Sequence, residues 1–204
     1  RFPHALYKGF HSRADAIAWL KTLGEETLAQ HAPNLLPLIG KSPDPATAPK
    51  QVVIYTDGGS LGNPGPGGYG VVLKYGPERR ERSGGFRLTT NNRMELMACI
   101  VALQTLQKPC KVTLYSDSKY VVDGITKGWA RRWQAKGWMR NKNEPAKNAD
   151  LWKQLLTQCD RHDVTFKWVR GHAGNRENER CDELAVAAAQ GPNLPPDPGY
   201  EARK

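Results

Sequence analysis

From Gln51 to Leu88 three β-branched or aromatic runs follow one another with no helical pattern between them, and from Asn91 onward helical and strand patterns alternate. Val52-Val53-Ile54-Tyr55 is the first run, and Tyr69 to Tyr75 and Arg80 to Leu88 are the next two. The Gly/Pro segment Gly62 to Gly68 separates the first from the second. Runs of this kind divided by turn residues predict strands joined as an antiparallel meander. Asn91 or Asn92 can cap a helix running to about Leu106, with Met94, Met97, Ile100, Val101 and Leu106 in its apolar stripe. Lys111 to Tyr115 and Val164 to Val169 are the fourth and fifth strand patterns, and helices are expected over Lys119–Thr126, Arg131–Lys136, Asp150–Cys159 and Glu177–Ala189. Hairpin strands first, then strands alternating with helices, predict an α/β fold: a mixed sheet with helices on its faces.

The ends of the chain differ from this block. Ser12 can cap a helix over Arg13 to Leu23, with Ile17, Leu20 and Leu23 at helical spacing. His31 to Lys50 holds Pro33, Pro37, Pro43, Pro45 and Pro49, which suit an extended linker and oppose a helix. Residues 1–30 therefore form a small appendage, 31–50 a linker, 51–190 the main domain, and 191–204, with Pro192, Pro195, Pro196 and Pro198, a mobile tail.

Within 204 residues there are 30 Lys and Arg against 20 Asp and Glu, a formal charge of +10 that favours a polyanionic partner, nucleic acid before membrane. Cys99, Cys110, Cys159 and Cys181 form no CxxC pair and suit reduced thiols of a cytoplasmic protein. No apolar run approaches the ~20 residues of a membrane span, and no secretory signal is visible. A monomer is the expected state.

Four acids stand in settings that suit a hard cation: Asp57 in Thr56-Asp57-Gly58-Gly59, Glu95 in Arg93-Met94-Glu95-Leu96, Asp117 in Ser116-Asp117-Ser118, and Asp182 in Cys181-Asp182-Glu183. Asp57 and Asp117 each follow a strand pattern; Glu95 and Asp182 lie on helices. Taken singly, each has an ordinary explanation: an Asx turn for Asp57, a helix cap for Asp117, favourable placement near a helix N-terminus for Glu95. Asp182 shares its helix with Glu177, Glu179 and Glu183, and spacing alone does not say which turns inward. His172, in Arg170-Gly171-His172-Ala173-Gly174, sits in a glycine-flanked loop that suits proton transfer, or is an exposed loop histidine. Lys127, Arg131, Arg132, Lys136, Arg140, Lys142 and Lys147, against Glu144 alone, interleave with Trp129, Trp133 and Trp138. That mixture favours phosphate contact with some tryptophans also packing, over a solvated helical face. Gly65-Pro66-Gly67-Gly68-Tyr69-Gly70 matches GxGxxG, but it opens the strand-like Val71-Val72-Leu73 where a dinucleotide site needs a helix. We read it as glycines that let one backbone approach another.

Together these residues resemble type 1 bacterial ribonuclease H. The resemblance rests on Thr56-Asp57-Gly58, Gly62 to Gly70, Thr90-Asn91-Asn92-Arg93-Met94-Glu95-Leu96, Ser116-Asp117-Ser118, Gly171-His172-Ala173-Gly174 and Glu177 to Ala185, and spans about Gln51 to Ala189. It implies the ribonuclease H-like fold with five strands. It also implies Mg²⁺-dependent endonucleolytic cleavage of the RNA strand of RNA/DNA hybrids, leaving 5′-phosphate and 3′-hydroxyl ends. By that resemblance Asp57, Glu95, Asp117 and Asp182 hold two Mg²⁺ ions, with Mn²⁺ as an alternative, and His172 assists proton transfer or product departure. Asn63, Asn91 and Asn92 match positions that contact the minor groove of the hybrid. Thr90 and Asn148 match a pocket for a DNA phosphate, and the segment from Lys127 to Lys147 matches a basic protrusion. Ser60 stands where some relatives have Cys, and Lys119 where a relative has Gln, which makes that substrate contact a point charge. Phe2 to Arg13 resembles the second half of a hybrid-binding domain, so residues 1–30 are expected to be its truncated remnant. The rival readings are a non-catalytic hybrid-binding protein, which would most simply lack one of the acids, and a different enzyme of the same fold, such as a DNA integrase or resolvase.

Overall fold

The computed structural model describes residues 13–31 and 51–202, which belong to two compact units, Arg1–Pro49 and Lys50–Lys204. In the first, helix α1 (Arg13–Leu23) is followed by α2 (Glu25–His31), with Gly24 at φ 78° between them. Leu20 and Leu28 bury against Trp19 and Leu23. The α2 turn was not expected, because Glu25-Glu26-Thr27 gives it little apolar pattern. Ser12, most of the Phe2–Arg13 resemblance and the linker from residue 32 lie outside the described residues.

The second unit holds strands β1 (Val52–Ser60), β2 (Gly65–Tyr75), β3 (Glu78–Thr89), β4 (Lys111–Ser116) and β5 (Asp163–Trp168). They form one sheet in the order β3-β2-β1-β4-β5. The β1–β2 and β2–β3 pairs are antiparallel, whereas β1–β4 and β4–β5 are parallel. This is the mixed five-stranded α/β sheet expected. Its helices are α3 (Asn91–Gln104), α4 (Lys119–Thr126), α5 (Trp129–Ala135), α6 (Ala149–Arg161), α7 (Arg176–Ala189) and the short α8 (Pro198–Glu201).

Glycines set how closely the helices approach. A Cβ on Gly58 would strike the Met94 backbone of α3, and one on Gly70 would strike the Cys181 carbonyl of α7. Gly58 pairs with Tyr69, so Gly58 and Gly70 belong to opposite faces. Thus α3 covers one face and α7 the other, and the glycine-rich segment permits close backbone approach, as its composition suggested. The main core, with Ile54, Val71, Leu96, Leu103, Leu114 and Trp152 fully buried, lies on the α3 side.

Several expectations need correction. β1 does not end before Asp57 but runs through it to Ser60, because Gly67 to Gly70 of β2 continue the ladder beside it. Thr90, not Asn91 or Asn92, is the cap residue of α3. The buried surface of α3 is broader than the expected stripe and takes in Leu96, Cys99 and Leu103, since the helix packs on both the sheet and α6. From Gly191 to Ala202 the expected tail makes specific contacts with β3 and α3. The Arg87 amide donates to the Pro195 carbonyl at 2.9 Å, and Asp197 is buried against Arg93. Proline content ruled out a long helix there; it did not reveal a buried carboxylate.

Candidate active site

Parallel pairing of β1 with β4 places Thr56 beside Ser116, so the residues after them, Asp57 and Asp117, reach the same edge of the sheet. Asp57 accepts a hydrogen bond from the Gly58 amide at 2.7 Å. Asp57, Glu95 of α3 and Asp182 of α7 border one cavity of about 290 Å³. Burial pushes the Asp57 carboxyl up to about 7; Asp117 adds most among its charged neighbours, the Gly58 amide opposes, and Asp182 and Glu95 add further. Glu95 is also raised, first by burial, with the Ser118 hydroxyl opposing and Asp117 adding.

The ordinary explanations for these acids can now be weighed. Ser118, not Asp117, caps α4, accepting from the Val121 amide at 3.2 Å. The Ser118 hydroxyl also donates to Glu95 at 2.6 Å, and the buried Asn178 side-chain amide donates to Asp117 at 3.2 Å. On α7, Glu177 pairs with Lys74 and Arg79, Glu183 pairs with Arg180, and Glu179 accepts from the Gly174 amide. Asp182 is the acid of that helix left bordering the cavity. Among the described residues no lysine or arginine pairs with Asp57, Glu95, Asp117 or Asp182.

Such a set fits divalent cations: hard oxygen donors, mutual repulsion and no internal counterion. Among the described residues no three acids, histidines or cysteines close tightly enough to enclose an ion alone. An ion held by such carboxylates would need waters or phosphate oxygens to complete its coordination. His172 lies exposed at φ 50°, between Gly171 and Gly174. A Cβ on Gly171 would sit 2.6 Å from an Asp117 carboxylate oxygen, so the histidine loop begins against that acid.

The substrate-side residues divide. Asn91 accepts from the Ser60 amide at 2.8 Å and its hydroxyl at 2.7 Å, and its own amide donates to Asn63 at 3.3 Å, while Asn92 is exposed. Lys119 lies 5.0 Å from the Trp168 ring centroid, and the Trp168 indole N–H donates to the Asp117 carbonyl at 2.9 Å. A second cavity of about 490 Å³ is bordered by Tyr120, Trp129, Arg132, Trp133, Arg140 and Lys147. Trp133 also packs edge-on against Trp152, and Trp138 packs on the core at φ 66°. Arg131 is engaged by Asp160 and lies outside that cavity, and Lys136 is exposed. Thr90 and Asn148 are the cap residues of α3 and α6, and neither side chain caps its own helix. Sequence reasoning missed Ser118, Asn178 and Tyr120 as partners of the site. Ser118 follows Asp117 directly, and only its place after a strand hinted that it, not the acid, takes the cap.

Residues 49–190 match the RNase H family. The chain is 65% identical over 151 residues to Ribonuclease H of Syntrophus aciditrophicus (strain SB), covering 74% of this chain and 87% of that protein. It is 64% identical over 154 residues to Ribonuclease H of Rippkaea orientalis, covering 76% and 94%. Among solved structures it resembles LC9-RNase H1, a type 1 RNase H with the type 2 active-site motif, with TM-score 0.63, 35% identity, and 70% and 73% of the two chains covered. It also resembles LC11-RNase H1 in complex with RNA/DNA hybrid, with TM-score 0.53, 26% identity, and 68% and 96% covered.

Proposed function

The chain belongs to the RNase H family, an endonuclease of the RNA strand of RNA/DNA hybrids that depends on divalent metal, and from that premise we propose how its own residues divide the work. The observation that carries the proposal is the convergence of Asp57, Glu95 and Asp182 on one cavity, with Asp117 beside Asp57 and, among the described residues, none of the four paired to a cation side chain. These four would hold two Mg²⁺ ions. Ions held there would supply activation of the attacking water and charge stabilisation at the departing 3′ oxygen. Ser118 and Asn178 orient Glu95 and Asp117. His172 moves a proton at the scissile phosphate or helps product leave, from an exposed loop between Gly171 and Gly174.

Asn63, Asn91 and Asn92 meet the minor groove, where 2′-hydroxyls distinguish RNA from DNA without base reading. The DNA strand is held by its phosphates, at Thr90 and Asn148 and along the groove of Trp129, Arg132, Arg140 and Lys147. Free cysteines suit a reducing, cytoplasmic setting, and we expect a monomer, checked by sedimentation. Residues 1–30 are a remnant of a hybrid-binding domain and 51–190 the catalytic domain. The test is cleavage of a labelled RNA/DNA hybrid beside RNA/RNA and DNA/DNA duplexes, with and without Mg²⁺. Cutting of the RNA strand of the hybrid alone, only with metal, is the expected result; cutting of either homoduplex at a similar rate would overturn it.

A further inference from the structure

The Arg93 side chain lies inside the protein, 2% exposed, between two carboxylates from distant parts of the chain. Its Nε and Nη2 donate to Asp197 at 2.6 and 2.7 Å, and its Nη1 and Nη2 to Asp150 at 3.0 and 2.8 Å. Asp197 is saturated: it also accepts from the Thr89 hydroxyl at 2.7 Å and the Gly199 amide at 3.1 Å. A Cβ on Gly199 would enter the ion pair, striking both Asp150 and Arg93. The segment around Asp197 is also fixed by Arg87, which pairs with Glu201 at 2.8 Å.

What this network joins gives it a role. Arg93 belongs to the first turn of α3, and its amide donates to the carbonyl of Thr90, the cap residue, at 3.0 Å. Asp150 belongs to the first turn of α6, whose cap residue is Asn148, held at φ 58° with its carbonyl bonded to the Leu151 and Trp152 amides at 3.0 Å. The guanidinium therefore ties together the two helix starts that carry Thr90 and Asn148. A bidentate guanidinium–carboxylate pair fixes orientation as well as distance; the Asp197 pair is buried and the Asp150 pair partly so.

We propose that the segment from Gly191 to Ala202 is a strap whose Asp197, acting through Arg93 and Asp150, sets the spacing of Thr90 and Asn148 for a phosphate of the DNA strand. Asp197, Arg93 and Asp150 are positioning residues. The proposal rests on the reading of Thr90 and Asn148 as a phosphate pocket. It separates two tasks along α3: the strap governs the cap residue and substrate capture, while Glu95, in the following turn, serves the cleavage site.

The experiment uses the full chain and a labelled RNA/DNA hybrid, at a temperature where circular dichroism shows every variant folded. Affinity is measured without metal, and kcat and KM with Mg²⁺. Asp197→Asn should raise Kd and KM by about tenfold, the scale of a weakened charge-assisted contact, and leave kcat within about twofold. Thr89→Val, which removes one donor from Asp197 at nearly constant shape, should act in the same direction by about two- to threefold and guards against a poorly folded Asp197→Asn. Asn148→Ala should also weaken binding, and adding Asp197→Asn to it should cost nothing further, because both act through one pocket. Full additivity, or a fall in kcat that matches the loss of affinity, would show general loosening and overturn the strap. An Asn148→Ala variant that is weaker beside unchanged Asp197→Asn and Thr89→Val overturns the strap alone. An Asn148→Ala variant with unchanged affinity removes the pocket, and the strap's role with it.

Discussion

Asp57 and Asp197 are the same residue type in opposite electrostatic states. Around Asp57 the neighbours are other carboxylates and its carboxyl is pushed up to about 7, chiefly by burial. Burial acts on Asp197 too, but the Arg93 guanidinium and the Thr89 hydroxyl outweigh it and hold the carboxyl below its ordinary value. The contrast teaches what a bare count of acids does not. A buried carboxylate with its cation supplied by the chain is finished structure, whereas a group of buried carboxylates without one is incomplete until a cation arrives. The same division runs along α7, where Glu177 and Glu183 are paired and Asp182 is not.

Neutralising one member of the unpaired set should have the largest effect. Asp57→Asn should lower kcat on the hybrid by more than about a thousandfold, some 4 kcal/mol of barrier, if Asp57 holds an ion as proposed. Hybrid affinity measured without metal should stay within about twofold, because the groups that hold substrate lie elsewhere. Near-normal turnover in Mg²⁺ would mean that Asp57 holds no ion. His172→Ala should cost less, about a hundredfold or below, because water carries a proton less well but still carries it. A dead yet folded His172→Ala enzyme would move the histidine into the indispensable set.

The basic segment offers its own contrast, between Arg131, engaged by Asp160, and the residues that border the groove. Neutralising Arg132 and Lys147 together should lower the log–log salt slope of hybrid binding by roughly one to two units, and neutralising Arg131, or Arg140, which borders the groove but is engaged by Glu144, should scarcely change it. Equal slopes for these variants would return the segment to a solvated face.

Stability against pH separates the two acid environments without any substrate. Asp57, raised in the folded state, contributes stability that is fully present below its unfolded value of about 4 and is lost as pH climbs through about 7. Asp197 is depressed, so its contribution is present above about 4 and is lost as pH falls through its lower folded value. Asp57→Asn should therefore flatten the decline in melting temperature between pH 4 and 8, and Asp197→Asn should flatten the decline on the acid side. Added Mg²⁺ should raise the melting temperature of the unaltered chain at neutral pH more than that of Asp57→Asn, since the ion binds the folded state. An Asp57→Asn profile parallel to the unaltered one would deny the special state of that carboxyl.

Much of this was legible in the residues, for identifiable reasons. β-branched and aromatic runs divided by turn residues predicted the strands, and each acid sat in a local motif short enough to recognise. The pairing that brings Asp57 beside Asp117 is a parallel contact across more than fifty residues, and no local pattern encodes it; the resemblance supplied it. Arg93 shows the opposite failure. It stood in plain view between Asn92 and Met94, but its partners Asp150 and Asp197 are far along the chain, and a proline-rich tail gave no hint that one of its carboxylates would be buried. The ion pair of Arg131 with Asp160 was equally hidden from the sequence, because Asp160 belongs to another helix.

The smallest expected effect comes from removing what lies before the sheet. A chain starting at Gln51 keeps the five strands, the acid cavity, the His172 loop and the Arg93 network, so both acid environments survive. Residues 1–49 cluster as a separate compact unit, and α1 and α2 bury Leu20 and Leu28 against their own Trp19 and Leu23. Turnover at saturating hybrid should therefore stay within about twofold of the full chain. If the N-terminal unit retains the hybrid binding of the domain it resembles, KM should rise while kcat holds, the mark of uniform binding lost. A truncated chain that failed to fold, followed by circular dichroism through a urea titration, would show that residues 1–50 are part of the catalytic core, and the two-unit division would have to be given up.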